Sequence, residues 1–287
     1  YAETNPLLGE SPSVLAMNGQ GYIATRVSNF PTTEASFVAW VRTTTRETAG
    51  AIFSYVTKSG LHEFLLYNPE SLSLMIHDQI VDAGARYDGP EGGDRRGFRT
   101  GVSITDGAWH HVAIIWRSAD GEVTCYIDGI RRFQGAGYRT GKSLAQAGGT
   151  VVLGNMQTAP CTFDSDGTPT CSFGKGRGFV GQIQNVRVFD KILKGVDVLG
   201  ELRWPITSSP TASAIYWRFA LESVATTSLP AYYATDLSEN GNDAWISHTG
   251  VQVQSGTPSI NPNYPCGEVY SGIWHFRTPM GSTLADA

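Results

Sequence analysis

Apolar and polar residues alternate in short segments that recur along most of the chain. In one of them, Val123, Cys125 and Ile127 alternate with more polar neighbours. Period-two patterns of this kind, bounded by Gly, Asn, Asp and Ser, are typical of β-strands. The segments that carry strand patterns cover residues 22–25, 36–42, 51–56, 63–67, 72–76, 109–116, 123–127, 151–154, 179–189 and 214–219. They predict an all-β fold built from many short strands.

Three local signals refine this pattern. Asp128 and Gly129 predict a tight hairpin turn, because the turn needs positive φ at both positions. The apolar positions change parity between Ile183 and Val186, which indicates a β-bulge in that strand. Residues 193–202 have apolar positions spaced three apart and predict one short helix.

The two ends of the chain differ from this central part. Residues 1–13 are polar, contain Pro and Gly, and are predicted to form an extended N-terminal arm. Near the other end, residues 244–267 contain no Lys, Arg, Asp or Glu, and we expect them to lie on a surface of their own domain or of a neighbour. The expected organisation is an arm, a β-sandwich over 14–220, and a C-terminal extension over 221–287.

Composition and charge exclude several classes of protein. Only 16% of the 287 residues are charged, and 33 are glycine, a balance that favours β structure over long solvated helices. The net charge is −5 and no basic block occurs, which argues against a nucleic-acid partner. No apolar run reaches the ~18 residues of a membrane span. The chain begins at Tyr1 without a signal peptide, as a mature secreted chain or an excised fragment would.

Four cysteines constrain the loops. Cys161 and Cys171 bracket a segment rich in turn formers and are predicted to form a disulfide. A metal site is the rival interpretation, but it lacks paired Cys-x-x-Cys or His-x₃-His partners. Cys125 lies within a strand pattern and is either a buried thiol or the partner of Cys266.

Five motifs in one order resemble the pentraxin and laminin-G-like family of β-sandwich domains. They are Phe-Ser-Tyr-Val-Thr-Lys at 53–58, Asp-Gly-Ala-Trp-His-His-Val at 106–112, Tyr-Ile-Asp-Gly at 126–129, Leu-Gly-Asn-Met-Gln at 153–157 and the strand at 179–190. The resemblance spans residues 14–220. It implies a two-sheet antiparallel jelly-roll sandwich of the laminin-G or pentraxin type, with one short helix and a C-terminal strand extension.

The resemblance also implies where a calcium site would lie. Pentraxins bind calcium through an acidic pair after the Tyr-x-Thr-Lys segment and a cluster after the Leu-Gly-Gln strand. Here Gln157 matches one ligand, while Arg177 falls near another and would repel a cation. The residues that replace the other ligands are Leu61, His62, Met156 and Thr158. We therefore expect no metal at the family site and no calcium-dependent recognition of phosphocholine-like headgroups.

The family disulfide is replaced as well. Its two positions fall on Trp40 and Ala113, on facing strands. A large residue opposite a small one can fill the same volume, so we expect these two side chains to pack together.

A turn that laminin-G-like domains carry near their start occurs here near the C-terminus, at residues 236–246. Two arrangements are consistent with this displacement. Either the C-terminal strands close the sheets of their own domain, or they are supplied to the next subunit. The second arrangement would build a filament by strand exchange.

His110 and His111 are the residues that most invite a catalytic interpretation. They are adjacent on a strand, so one must face the core and the other the opposite side. No serine or cysteine nucleophile motif accompanies them, and the Glu-x-Asp-x-x-Glu run of sandwich glycosidases is absent. We predict that both are structural and that the protein is not an enzyme.

Two groups of residues are candidate ligand contacts. Asp164, Asp166 and Thr168 open a loop like that of a calcium turn, but residue 175 is Lys where Glu is expected, so a plain disulfide-closed turn is the competing interpretation. Tyrosines in apparent loops are candidate glycan contacts, because an aromatic ring can cover the apolar face of a sugar. They are Tyr87, Tyr138, Tyr232 and Tyr233.

Two functions of different class follow. The first is a non-catalytic, secreted structural or adhesive module that self-associates into oligomers or a filament. The second is a glycan-binding lectin domain, with or without calcium in the 164–168 turn. No other cofactor, no nucleic acid and no membrane span are expected.

Overall fold

The alternating segments form twenty β-strands in the part of the chain that the computed structural model describes. That part comprises residues 13–46, 50–58, 62–76, 79–80, 98–99, 101–202, 213–217, 219, 223–224, 231–238, 240–247 and 249–255. The first ten strands are β1 (Ser13–Asn18), β2 (Ile23–Val27), β3 (Glu34–Arg42), β4 (Ala51–Thr57), β5 (Phe64–Tyr67), β6 (Ser73–Ile76), β7 (Gln79–Ile80), β8 (Phe98–Arg99), β9 (Trp109–Arg117) and β10 (Glu122–Ile127). The others are β11 (Ile130–Gly135), β12 (Gly149–Leu153), β13 (Thr162–Phe163), β14 (Pro169–Thr170), β15 (Val180–Phe189), β16 (Ile215–Trp217), β17 (Ser223–Val224), β18 (Ala231–Ala234), β19 (Ala244–Ile246) and β20 (Val251–Ser255).

Two large sheets make up the two layers of the fold. One has eight strands in the order β11-β10-β9-β3-β15-β1-β20, with β16 also paired to β15. The other has ten strands in the order β17-β18-β19-β2-β12-β4-β5-β6-β7, with β8 also paired to β6. Neighbouring strands run antiparallel in both sheets. This arrangement confirms the predicted all-β, two-sheet antiparallel sandwich.

The hydrophobic core lies between the two sheets. Alternate side chains of β3, β9 and β15 meet those of β2, β4 and β12. Aromatic rings fill much of the space: Phe30 stacks on Tyr55 with ring centroids 3.9 Å apart, and Phe37 meets Phe53 at 5.0 Å. Burying a side chain of this size contributes about 1.5–3 kcal/mol. The alternation that predicts the strands therefore also accounts for the packing of the two layers.

The other face of the eight-stranded sheet is covered by the helix α1 (Gly195–Leu202). Val38 and Ala113 of the sheet pack with Val198 of the helix. Beside them, Arg187 of β15 forms an ion pair with Glu201 of the helix, with 2.8 Å between Nη1 and Oε2, and both side chains are buried. Apolar contact and a buried ion pair thus hold α1 on the sheet.

Three local predictions are confirmed. Asp128 and Gly129 have φ values of 54° and 76° and connect β10 to β11. The pairing of β15 with β3 shifts register between Gln184 and Arg187, which is the predicted bulge. The helix begins at Gly195, two residues after the predicted start, and a 3₁₀ turn covers Pro69–Ser71. None of the helices in the described part of the chain has the length and hydropathy to cross a bilayer.

The ends of the described chain contain strands that the sequence pattern does not predict. β1 begins at Ser13, within the predicted arm, and lies between β15 and β20. Part of the uncharged segment at 244–267, which we expected on a surface, forms β19 and β20. β19 pairs with β2 in one sheet, and β20 pairs with β1 in the other. Within the single chain, these C-terminal strands extend the chain's own sheets. The predicted boundaries at residues 13 and 220 stay a prediction.

The packing expected for Trp40 against Ala113 is wrong. Both residues lie on paired strands, but the register places Trp40 opposite His111, and Ala113 opposite Val38. The ring centroids of Trp40 and His111 are 5.4 Å apart, and Trp109 belongs to the same cluster as Trp40. A histidine and a second tryptophan therefore fill the space around Trp40.

Candidate functional site

Gln157, which matches a calcium ligand of the resembled family, is fully buried and serves the fold. Its Nε2 donates to the carbonyl oxygens of Ser54 on β4, at 2.9 Å, and of Thr150 on β12, at 3.0 Å. Its Oε1 accepts a hydrogen bond from the Thr150 hydroxyl. Both ends of the amide are engaged by strands of the ten-stranded sheet, so Gln157 fixes the following segment against that sheet.

Met156 and Thr158 stand where the resemblance places calcium ligands, and both form backbone hydrogen bonds with the segment at 172–174. Met156 accepts through its carbonyl oxygen from the Gly174 amide at 2.9 Å, and the Thr158 amide donates to Ser172 at 2.9 Å. His62 has a φ of 58°, while Leu61 lies outside the described residues. Within the described ranges, no group of three or more His, Cys, Asp or Glu side chains is placed to hold a metal ion. The absence of a family calcium site stays a prediction.

A disulfide closes the hairpin that follows. Cys161 and Cys171 are bonded, as predicted, and β13 pairs with β14 between them. In the turn, Oδ1 of Asp164 accepts from the amides of Asp166 at 3.0 Å and of Thr168 at 2.8 Å. This carboxylate oxygen thus accepts from two backbone amides within the turn. A calcium ion bound by Asp164, Asp166 and Thr168 stays a prediction.

The disulfide hairpin, residues 161–171, covers the outer face of the ten-stranded sheet. Cys161 packs with Ala24 and Val152 in a small apolar cluster, which Tyr22 and Phe173 border. The rings of Tyr22 and Phe173 are 4.8 Å apart. The outer face of the ten-stranded sheet therefore carries apolar packing and a covalent crosslink.

Cys125 is a free thiol in the core, and no solvent reaches it. Burial in apolar surroundings raises its pKa to about 12. The thiol is therefore neither ionised nor accessible at neutral pH, which argues against a nucleophilic role. Cys266, the alternative partner, lies outside the described residues.

His110 lies buried between two carboxylates. Its Nδ1 is 2.8 Å from Oδ2 of Asp128, and its Nε2 is 3.0 Å from Oδ1 of Asp106. Burial disfavours the charged imidazole, but the hydrogen bonds and charges of Asp128 and Asp106 outweigh it and raise the pKa of His110 above 6.5. Because carboxylates occupy both ring nitrogens, neither nitrogen is placed to activate a hydroxyl nucleophile.

His111 is buried like His110, but no carboxylate is hydrogen-bonded to its ring nitrogens among the described residues. It is buried on the opposite side of β9, next to Trp40. Its Nδ1 has no hydrogen-bond partner among the described residues. Desolvation lowers its pKa to about 4, although Asp128 opposes this shift, so the ring is neutral at physiological pH. The structural roles predicted for His110 and His111 stay predictions.

A polar cleft opens at the end of the sandwich where β3 begins and β15 ends. Its volume is about 320 Å³. Carboxylate, amide and hydroxyl side chains line it, among them Asn29, Thr32, Glu34, Gln146, Asp190 and Asn240. None of these is a residue that the sequence identifies as a candidate contact.

The displaced C-terminal turn positions one wall of the cleft. Asp236 is buried, and its carboxylate accepts from the amides of Tyr216 at 2.9 Å, Ser238 at 3.0 Å and Asn242 at 3.0 Å. Asn240, held within this turn, lines the cleft. The run of Asp, Ser and Asn at alternate positions was the available signal, because such residues build turns from their own side chains.

Of the tyrosines singled out as glycan contacts, only Tyr138 has a described side chain. It is partly buried and packs against the hydrophobic core, and its carbonyl oxygen accepts from Nε1 of Trp116 at 3.0 Å. Tyr232 and Tyr233 lie on β18, opposite Ile246 and Trp245 of β19. Tyr87 lies outside the described residues. Their roles as glycan contacts stay predictions.

The two edges of the eight-stranded sheet have different chemistry. β11 exposes Arg131 and Arg132. β20 contains no charged residue and exposes Gln252. No described strand pairs with the outer side of either β11 or β20. Only one of the two edges therefore carries charge.

Comparisons with known protein sequences agree with the motifs. A laminin-G family model, described as the concanavalin A-like lectin/glucanases superfamily, matches residues 17–198. The sushi, von Willebrand factor type A, EGF and pentraxin domain-containing protein 1 of Rattus norvegicus is 37% identical over 91 residues, which cover 32% of this chain and 2% of that protein. Pentraxin-4 of Homo sapiens is 29% identical over 159 residues, which cover 55% of this chain and 29% of pentraxin-4. The chain thus spans less than a third of the length of either relative.

A solved structure shares the fold. The native heptameric SAP-like pentraxin from Limulus polyphemus superposes with a TM-score of 0.56 and 18% sequence identity, covering 87% of this chain and 98% of that chain. At this identity the likeness concerns the fold alone. Together with the sequence matches, it confirms the resemblance that the five motifs predict.

Proposed function

Because the chain belongs to the concanavalin A-like lectin/glucanases superfamily, we propose that it is a non-catalytic extracellular binding module that self-associates. Pentraxin names recur among its sequence relatives, and the structural relative from Limulus is heptameric. The disulfide between Cys161 and Cys171 supports an oxidising, extracellular compartment. Carboxylates at both nitrogens of His110 and the burial of Cys125 support a non-catalytic role.

The observation that carries the proposal is the uncharged outer edge of β20. A strand edge presents unpaired amide and carbonyl groups, so it is a template for another strand. Natural proteins blunt such edges with charged side chains, and Arg131 and Arg132 do so on β11. Among the described residues, no charged side chain protects β20 in this way. Pairing of two β20 edges would close a dimer, whereas handing C-terminal strands to the next subunit would extend into a filament.

The Gln252→Lys variant of the full chain tests this proposal. The added charge on the exposed side of β20 should convert oligomers to monomers, measured by sedimentation velocity over a series of concentrations. The matched control is Gln134→Lys, on exposed β11, which should leave the mass distribution unchanged. A wild-type chain that is monomeric at every concentration, or a Gln252→Lys chain that assembles like the wild type, would contradict self-association through β20.

The second candidate function is recognition of glycans, and the polar cleft favours it. A cleft of about 320 Å³ lies within the size range of small-molecule sites. A glycan array probed with and without chelator tests this function and separates calcium-assisted from calcium-independent binding. The absence of binding in both buffers would reject it.

A further inference from the structure

The polar cleft is chemically suited to a neutral sugar. We infer that it binds a neutral saccharide unit without a metal ion, an inference that rests on the second candidate function. The cleft contains none of the positions that the family resemblance assigns to calcium. It is therefore a site distinct from the one that the family pattern implies.

The lining groups match the hydrogen-bonding needs of a polyol. A sugar hydroxyl is both a donor and an acceptor, and it is bound best where the wall offers both kinds of group. Glu34 and Asp190 offer carboxylate oxygens, which accept from hydroxyls in strong, charge-assisted bonds. Asn29 and Gln146 add amides, which donate as well as accept, and Thr32 adds a hydroxyl.

The charge of the cleft selects against acidic sugars. Glu34 and Asp190 are both in its wall, and no lysine or arginine is among its lining residues. Arg117 lies opposite Glu34 on β9 and offsets part of its charge. The repulsion of a sulfate or carboxylate on the ligand therefore comes mainly from Asp190. The expected ligand is therefore neutral, and sulfated or sialylated glycans should be rejected.

The walls of the cleft are held in place before any ligand arrives. The Phe30 amide donates to the carbonyl oxygen of Gln146 at 2.8 Å. In the same wall, Leu144 donates from its amide to the carbonyl oxygen of Thr32 at 2.8 Å. These bonds join the loop before β3 to the loop before β12. A preformed site loses little conformational entropy when a ligand binds. More of the free energy of its hydrogen bonds to the ligand therefore contributes to affinity.

Hydrophobic stacking contributes little here. Phe30 is the aromatic residue of the cleft wall, but it is only 1% exposed and its ring stacks on Tyr55. Recognition then depends on hydrogen bonds to the two carboxylates. Removing one such charged acceptor should lower affinity about tenfold, in line with the contribution of a hydrogen bond to a charged group.

The test begins with the full chain on an array of neutral, sulfated and sialylated oligosaccharides in buffer containing EDTA. The strongest neutral binder is then titrated by calorimetry against the wild type, Asp190→Asn and Glu34→Gln. Matched controls are Asp197→Asn, exposed on α1, and Glu122→Gln, beside Arg117. Thr33→Trp provides a second route, since it blocks the exposed rim of the cleft without removing a charge.

The expected result is binding of neutral sugars in EDTA, a loss of about tenfold in the cleft variants, and no loss in the controls. If Thr33→Trp and the carboxylate variants that fold all bind with wild-type affinity, the cleft is not the site. Glycan recognition by another part of the chain would then still stand. Binding that requires calcium, or that is confined to acidic sugars, would also overturn it. No binding to any sugar would reject both the cleft and the second candidate function.

Discussion

The outer faces of the two sheets are covered in different ways. On the eight-stranded sheet, α1 is held by apolar side chains and by the buried ion pair between Arg187 and Glu201. On the ten-stranded sheet, the cover is a hairpin closed by the Cys161–Cys171 disulfide. The position of α1 depends in part on a buried ion pair, whereas the hairpin depends on a covalent bond. The two faces should therefore respond to different chemical challenges.

The difference also bears on function. The positions that the resemblance assigns to the metal include Gln157, whose amide here bonds to β4 and β12 beside the disulfide hairpin. The polar cleft opens elsewhere, at an end of the sandwich. In the described part of the chain both outer faces carry a cover, so the proposals above place partners at a strand edge and at an end of the sandwich.

Removing one member of the ion pair should have the largest effect. Glu201→Ala removes the carboxylate that pairs with the guanidinium of Arg187. The guanidinium stays buried, 4.7 Å from the ring of Phe189 and 4.5 Å from the ring of Tyr216. Breaking a buried pair in this way costs about 3–5 kcal/mol. Urea denaturation should show that loss in the free energy of unfolding. Glu122→Ala, which breaks a more exposed pair with Arg117, should cost less than about 1 kcal/mol. Equal losses in the two variants would contradict the assigned role of α1.

Opening the disulfide should have the next largest effect, and it should act on the other face. The bond closes a loop with a sequence separation of 10. Chain entropy then predicts a loss of about 2–3 kcal/mol when Cys161 and Cys171 are both replaced by serine. The wild type in reducing agent should approach the stability of this double variant. A double variant that itself loses stability in reducing agent would show that another bond is responsible.

Changing pH should separate the two adjacent histidines. The lowered pKa of His111, about 4, stabilises the fold above pH 6.5, and this contribution is lost as pH falls towards 4. The raised pKa of His110 has the opposite sign: its contribution is complete below pH 6.5 and is lost as pH rises through the raised value. In the wild type, the urea midpoint should fall both towards pH 4 and towards pH 8. His111→Leu should remove the fall at acid pH, and His110→Gln should remove the fall at alkaline pH. Profiles parallel to the wild type in both variants would contradict these assignments.

Much of the fold follows from the sequence because its signals are local. The alternation in β3, β9 and β10, the positive-φ turn at Asp128 and Gly129, and the parity change before Val186 each depend on neighbouring residues. The Cys161–Cys171 pairing also spans a short loop. The cleft was not predictable in this way, since Asn29, Asp190 and Asn240 come from distant segments and meet only after the sheets have formed.

The sequence by itself determined the class of fold, the order of the central strands, the hairpin turn and the disulfide, because backbone conformation and burial leave a pattern within a few residues. Tertiary structure decided which residues meet across strands. It placed Trp40 beside His111 rather than Ala113, made strands of the uncharged segments at 244–246 and 251–255, and joined distant polar loops into a cleft. A strand's alternation fixes which face it buries, but which distant strand it meets, and which strands end at an edge, depends on segments far apart in the sequence.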